Sequence, residues 1–124
     1  MTNPKALFFD VFGTLVDWRS GIAREAEIVL KPLGTTLDWL AFADAWRGEY
    51  QPGMEEVRAG RLPFSKLDVL HRRNLERFLP RFGLANLSEE VLHELMRTGE
   101  PTEEATALLE ELRRKVARAV TARN

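Results

Sequence analysis

Residues 5–15 read KALFFDVFGTL, and this stretch decides the fold class. An uninterrupted apolar run at 6–9 leads into a single carboxylate, Asp10, and Gly13 marks a turn directly after it. A continuous apolar run bounded by a turn is typical of a strand buried on both faces, as in a parallel sheet covered by helices. In open sheets of that kind ligands bind beyond the carboxyl ends of the strands, so Asp10 is placed to meet a substrate.

Two interpretations of Asp10 are open on the residues alone. Glycine at 13 allows a tight turn, and the Thr14 hydroxyl and the N–H groups of that turn could hydrogen-bond a carboxylate or an anion. This first interpretation makes the turn a binding site. Aspartate at the end of a strand is also ordinary turn chemistry, which makes it a structural residue.

Composition excludes several classes of protein. The chain has 124 residues, enough for one compact domain, with 44% hydrophobic and 30% charged residues. Its net charge of -1 and pI near 6.1 provide no basic surface for nucleic acid. It has no cysteine, so disulfides and thiolate metal sites are excluded. No apolar stretch approaches the roughly 20 residues of a membrane span and the start does not resemble a signal peptide, so we expect a cytoplasmic protein.

Helical spacing of apolar residues predicts a mainly helical chain after the first turn. The predicted ranges are 18–30, 38–59 with a bend near Pro52, 64–82 and 90–97. Ser20 and Ser88 are expected to cap the first and last of these helices. A fifth helix is predicted from Thr102, and 116–120 is a candidate second core strand, although Arg118 interrupts its apolar pattern.

The motif FFDVFGTLVDW at 8–18 resembles the first motif of the haloacid dehalogenase superfamily, in which the first Asp is a nucleophile and Gly-Thr-Leu follows. The resemblance implies that Asp10 is that nucleophile and that Thr14 is catalytic. Most members are magnesium-dependent phosphatases, which carry a second Asp two residues after the first. This chain has Phe12 there, and an aromatic ring cannot transfer a proton. The motif is therefore more similar to the type II (S)-2-haloacid dehalogenase branch, in which Val11 and Phe12 would contact the substrate.

The resemblance also implies an α/β fold of which this chain carries mostly the α part. Residues 1–34 would begin the Rossmann-like core with a strand, a turn and a helix, and residues 35–98 would form a helical cap. Residues 99–124 would contribute a helix and the candidate second strand. The third-motif lysine and the downstream acidic motif of the family do not occur in these 124 residues, so the chain resembles the N-terminal portion of a dehalogenase.

Arg47 is the candidate halide-binding residue. On the residues alone, an arginine on a helix is usually a solvated charge, although Phe42, Trp46 and Tyr50 could surround this one with apolar walls. In type II dehalogenases an arginine on the first cap helix binds the departing halide and the substrate carboxylate, and Arg47 matches it in position.

Three further residues receive weaker assignments. Thr121 resembles the Ser or Thr of the second motif, which would bind the substrate, but the branch usually has Ser-Asn-Gly there; an ordinary threonine is the alternative. His71 has no partner spaced for metal binding or a catalytic triad and is interpreted as a helix-flank residue. Trp18 is interpreted as a core or interface residue.

The mechanism implied by the resemblance is displacement of halide from a short 2-haloacid through an aspartyl ester, giving a 2-hydroxy acid. It implies no metal and no other cofactor. Two alternatives stay open at this point: a non-catalytic helical fragment that forms a homodimer through its exposed strand, and a magnesium-dependent phosphatase.

Overall fold

The computed structural model describes residues 5, 6, 8, 10, 11, 13, 14, 16–98 and 103–121. Its helices are α1 Trp18–Leu30, α2 Trp39–Gly48, α3 Tyr50–Arg58, α4 Leu67–Phe78, α5 Glu89–Arg97 and α6 Glu103–Thr121. Short 3₁₀ turns at Lys31–Leu33 and Leu79–Phe82 follow α1 and α4. Among these described residues, no helix combines the length and the apolar character needed to cross a membrane.

Side-chain caps determine where three of the helices begin. The carboxylate of Asp17 accepts a hydrogen bond from the Ser20 backbone N–H at 3.1 Å, so Asp17, and not Ser20, caps α1. Asp38 caps α2 in the same way through Ala41. Ser88 caps α5 as predicted, because its hydroxyl accepts from the N–H of Val91. Each cap satisfies a backbone donor that has no partner inside the helix.

The bend predicted near Pro52 lies three residues earlier. The helix ends at Gly48, Glu49 stands between α2 and α3, and Pro52 falls in the first turn of α3. Proline is tolerated there because the N–H groups of a first turn have no intrahelical acceptor to lose.

Helices α1, α2, α4 and α5, called here the bundle, enclose one hydrophobic core together with the segment between α4 and α5. The buried residues of this core are Ala26, Leu30, Phe42, Leu75, Phe78, Leu79, Leu84, Leu92 and Leu95. The fully buried ring of Phe42 contacts those of Phe78 and Phe82 edge-on, with centroids 5.0 and 5.4 Å apart. Edge-to-face contacts of this kind add to the energy of burial. Helix α1 therefore packs in the same core as the helices of 35–98.

A network of ion pairs joins α3 to α4. Glu49 is only 7% exposed, and its two carboxylate oxygens accept from Arg77 at 2.7 Å and Arg81 at 2.8 Å. Glu56 extends the network through Arg77 at 3.1 Å and Arg73 at 2.9 Å. The paired charges make burial of Glu49 at the break between α2 and α3 tolerable.

The strand expected at 6–9 is not formed at the positions that the structure describes. Ala6 and Phe8 are non-helical and have no strand pairing, and the side chain of Phe8 is 94% exposed. A strand needs a neighbouring strand to satisfy its backbone groups, and none is formed by the described residues. The α/β part of the predicted fold is thus not seen here, whereas its helical part is.

The prediction of a second strand at 116–120 is wrong, because these residues lie inside α6. Residues 103–121 contain no glycine or proline and are rich in Ala, Leu, Glu and Arg, which favour a helix. An ion pair of 2.8 Å between Glu111 and Lys115, four residues apart, adds support. Arg118 is exposed on this helix, so it interrupts nothing.

Candidate functional site

The predicted nucleophile stands at the beginning of a tight turn. The N–H groups of Thr14 and Val16 both donate to the carbonyl of Val11, at 3.3 and 3.1 Å. Gly13 adopts φ +84°, a left-handed conformation that side chains disfavour, and its N–H donates to the carbonyl of Val16 at 3.0 Å. The turn brings the hydroxyl of Thr14 onto a carboxylate oxygen of Asp10, to which it donates a hydrogen bond. Asp10 itself is exposed, so its other oxygen is accessible.

The ring of Trp18 lies against this turn. A Cβ atom on Gly13 would stand 3.9 Å from Nε1 of Trp18, in ordinary van der Waals contact. A groove of about 370 Å³ runs along this side and is lined by Gly13, Thr14, Val16, Asp17, Trp18 and Arg19. The backbone N–H of Ser20 lowers the pKa of Asp17, so the acid that caps α1 stays ionised at neutral pH.

Arg47, near the end of α2, contacts two aromatic rings from neighbouring helices. Its guanidinium carbon lies 4.6 Å from the ring centroid of Tyr50 and 5.8 Å from that of Trp18. Cation–π contacts at this range hold a guanidinium without neutralising it. Within the described part of the chain, Arg47 has no carboxylate at salt-bridge distance. Its N–H groups are therefore available to an anion.

The aromatic surroundings of Arg47 differ in part from those predicted. Tyr50 contacts it as expected, but Trp46 and Phe42 belong to the core, where Trp46 lies 6.0 Å from the ring of Phe78. The second ring at Arg47 comes instead from Trp18 on α1. Trp18 thus lines the same groove as the turn after Asp10 and also contacts Arg47, so it lies between the two predicted site residues in the chain's arrangement.

His71 on α4 extends the same face. Its ring centroid is 6.1 Å from that of Tyr50, and the side chain is half-buried. Burial lowers the pKa of His71, the charge of Arg47 lowers it further, and Asp68 opposes the shift. The imidazole is accordingly neutral at pH 7, and Arg47 supplies the positive charge here.

The remaining predicted site residues have different outcomes. Val11 contributes its carbonyl to the turn, and its side chain is 42% exposed. Phe12 lies outside the described residues. Thr121 is exposed at the end of α6 and donates its hydroxyl to the carbonyl of Ala117 at 2.9 Å, so this group is used within the helix. In the described part of the chain no three His, Asp or Glu side chains are grouped as a metal site would require.

Sequence reasoning had assigned no role in this site to Trp18 or His71. The available signal for Trp18 was its position directly after the acid that caps α1, next to the turn. His71 gave no such signal, because its approach to Tyr50 depends on how α3 packs on α4.

Two solved structures are similar to this chain. The defluorinating L-2-haloacid dehalogenase Rha0230 is 42% identical, with a TM-score of 0.66, over 72% of this chain and 37% of that one. The L-2-haloacid dehalogenase PA0810 is 43% identical, with a TM-score of 0.63, over 72% of this chain and 38% of that one. The chain resembles part of an L-2-haloacid dehalogenase. No protein-family model and no curated protein matches it.

The predicted resemblance to part of a type II haloacid dehalogenase is thus confirmed by both structures. The helices of this chain correspond to a cap-like helical portion of a haloacid dehalogenase fold. The chain spans well under half the length of either dehalogenase.

Proposed function

We propose that this chain carries the nucleophile and the anion-binding arginine of a 2-haloacid dehalogenase. The observation that carries the proposal is the arrangement around Trp18. Its ring lines a groove with Gly13 and Thr14 of the turn after Asp10, and it lies 5.8 Å from the guanidinium carbon of Arg47, which has no carboxylate at salt-bridge distance among the described residues. A nucleophilic carboxylate on one side and a cation on the other is what displacement of a halide from an anionic substrate requires. Both similar structures are L-2-haloacid dehalogenases.

The proposed reaction proceeds in two steps. A carboxylate oxygen of Asp10 attacks the carbon that bears the halogen, and the carbon–halogen bond breaks as the halide leaves toward Arg47. Water then adds to the carbonyl of the resulting ester, so that the 2-hydroxy acid departs, the carboxylate returns and one proton is released. Thr14 orients Asp10 by its hydrogen bond. The scheme uses no metal ion or other cofactor.

The proposal also assigns roles to the segments. Residues 1–34 begin the catalytic core, and residues 6–9 become its first strand once neighbouring parallel strands are provided. The helices within 35–98 act as the cap, with α1 packed against them. Residues 99–124 contribute the helix α6, and Phe12 and Val11 contact the substrate. We also propose a cytoplasmic location.

Release of halide from L- and D-2-chloropropionate tests this function. We expect release from the L enantiomer, complete loss in Asp10→Asn and a large loss in Arg47→Met. Hydrolysis of p-nitrophenyl phosphate with magnesium, in place of halide release, would support the phosphatase alternative and contradict the interpretation of Phe12. Absence of both reactions in the well-folded chain would contradict catalysis by these 124 residues.

Helix α6 favours a second candidate function, self-association. Every side chain of α6 that the structure describes is exposed, and four of them form an apolar row along the helix: Leu108, Leu109, Leu112 and Val116. An uncovered row of this kind marks an interaction surface. The acids of α6, Glu103, Glu104, Glu110 and Glu111, occupy its first half, and the bases Arg113, Arg114, Lys115 and Arg118 its second. A second copy in antiparallel orientation would place acids opposite bases.

Sedimentation velocity over a range of concentrations tests the self-association. We expect a dimer whose population rises with concentration, and Leu112→Lys should make the chain monomeric. Leu33→Lys is the matched control, because Leu33 and Leu112 are each 53% exposed and only Leu112 lies on α6. A monomer at every concentration, or equal effects of the two variants, would contradict pairing through α6.

A further inference from the structure

Arg19 and Asp44 form a two-point ion pair between α1 and α2. The Nε and Nη2 atoms of Arg19 each lie 2.6 Å from a different carboxylate oxygen of Asp44. Parallel contacts of this kind use the planar geometry of the guanidinium and are stronger and more directional than a single contact. Both carboxylate oxygens of Asp44 are therefore engaged by Arg19.

The position of Asp44 makes this engagement significant. Asp44 precedes Arg47 by three residues on α2, so the two side chains emerge from the same helix face one turn apart. An aspartate and an arginine at this spacing are close enough to form an ion pair. Arg47 nevertheless has no carboxylate at salt-bridge distance among the described residues, and Asp44 is turned toward α1 instead.

The charges of the pair persist across the neutral pH range. The hydrogen bonds that Arg19 donates to Asp44 lower the pKa of Asp44 and raise the pKa of Arg19. Asp44 is thus a permanent carboxylate beside the helix face of Arg47. If Arg19 were absent, the same carboxylate would be free to turn toward Arg47 and compete with an incoming anion.

We infer that Arg19 is a positioning residue that withholds Asp44 from Arg47 and so keeps the guanidinium of Arg47 free for the halide and the carboxylate of the substrate. This inference rests on the proposed function, because it assumes that Arg47 binds an anion. Arg19 follows Trp18 directly. One turn of α1 therefore contributes both the ring that contacts Arg47 and the cation that binds Asp44, the carboxylate that would compete with the substrate for Arg47.

The test is a titration of the chain with sodium bromide, followed by the Nε–H signal of Arg47 in ¹⁵N NMR. Arg47→Lys identifies the signal by its disappearance. We expect Arg19→Met to weaken bromide binding about threefold, because a surface ion pair between Asp44 and Arg47 would then compete with bromide. Asp44→Asn should bind at least as tightly as the parent chain. The double variant Arg19→Met/Asp44→Asn should regain the parent affinity, because no competing carboxylate remains.

A matched control separates competition from simple loss of positive charge. Arg24 also lies on α1 and is paired with Glu25 at 3.2 Å, so Arg24→Met removes one cation without releasing Asp44. We expect it to leave both the affinity and the Arg47 signal unchanged. In Arg19→Met, by contrast, the Arg47 Nε–H signal should move even without bromide, as Arg47 pairs with Asp44 and leaves its aromatic rings.

Two results distinguish failure of this inference from failure of the proposed function. An Arg47 signal that stays in place in Arg19→Met would overturn the withholding role, whether or not bromide binds. Absence of bromide binding and of halide release by the parent chain would contradict the proposed function. In that case a moved Arg47 signal would still support the control of Asp44 by Arg19.

Discussion

The bundle and the segment at residues 5–16 are both rich in large apolar residues, yet the described positions of the segment are exposed whereas the centre of the bundle is buried. In the bundle the side chains of Leu30, Phe42 and Phe78 are completely buried. In the segment Phe8 is 94% exposed. The difference shows that apolar composition is not sufficient for burial. A helix satisfies its own backbone and can pack on a neighbour close in sequence, whereas a strand must find another strand before its side chains can be covered.

Replacing one phenylalanine in each region should give the largest difference in stability. Phe42→Ala should lower the free energy of unfolding by about 4 kcal/mol, because it leaves a cavity among Phe78 and Phe82. Phe8→Ala should change it by less than about 0.5 kcal/mol, as expected for an exposed side chain. Urea unfolding followed by circular dichroism measures both. A large effect of Phe8→Ala would show that the segment is packed in solution.

Two glutamates, one buried between α2 and α3 and one exposed on α1, are expected to differ in the same way. Glu49→Gln should cost about 2 kcal/mol, because Arg77 and Arg81 lose a buried partner while their own partial exposure limits the penalty. Glu27→Gln, which breaks the exposed pair with Lys31, should cost less than about 0.5 kcal/mol. Equal shifts in the urea midpoint would contradict a structural role for the network between α3 and α4.

Two helical glycines test how tightly the helices are packed. A Cβ atom on Gly53 would lie 2.8 Å from Oδ1 of the buried Asn74, whereas one on Gly21 would meet nothing within 4 Å. Gly53→Ala should therefore destabilise the chain by about 1–2 kcal/mol through overpacking. Gly21→Ala should stabilise it by about 0.5–1 kcal/mol, since alanine favours a helix. The melting temperatures should move in opposite directions, and a rise for both would mean that α3 and α4 are loosely packed.

The smallest expected effect is the pH dependence due to His71. Its pKa is lower in the folded chain than the ordinary value of 6.5, so the unfolded chain binds the proton more readily. Stability should be complete well above pH 6.5 and fall slightly as the pH drops through that value, because solvent screens the half-buried ring. His71→Gln should remove this component of the urea midpoint and exposed His93→Gln should not. Identical pH profiles for the parent chain and His71→Gln would contradict the burial argument.

Local signals explain why much of the helical structure was predicted. The range 18–30 coincides with α1, and Ser88 caps α5, because helix periodicity and caps involve residues within one or two turns. The prediction of a strand at 116–120 failed because the local pattern there is ambiguous. A segment of five residues with four apolar positions does not distinguish a strand from the end of a helix, and the preceding Leu108, Leu109 and Leu112 continue one helical face into Val116.

In the candidate site, too, some residues could be predicted from the sequence and some contacts could not. Asp10 and Thr14 could be named from the motif at 8–18, and Arg47 from its resemblance to a cap arginine. The contacts of Arg47 and Asp44 with α1 could not be predicted. They join α1 to α2 across 25 or more residues, in the pair between Arg19 and Asp44 and in the contact between Trp18 and Arg47.

The sequence by itself determined the helices of the bundle, the turn after Asp10 and the resemblance to haloacid dehalogenases, because each depends on residues close together in the chain. Only the tertiary structure decided that Trp18 contacts Arg47, that Asp44 is held by Arg19 and that the apolar run at 6–9 is left without strand pairing at its described positions. Those outcomes depend on which distant segments are present to pack or pair, and the residue order alone carries no local signal for them.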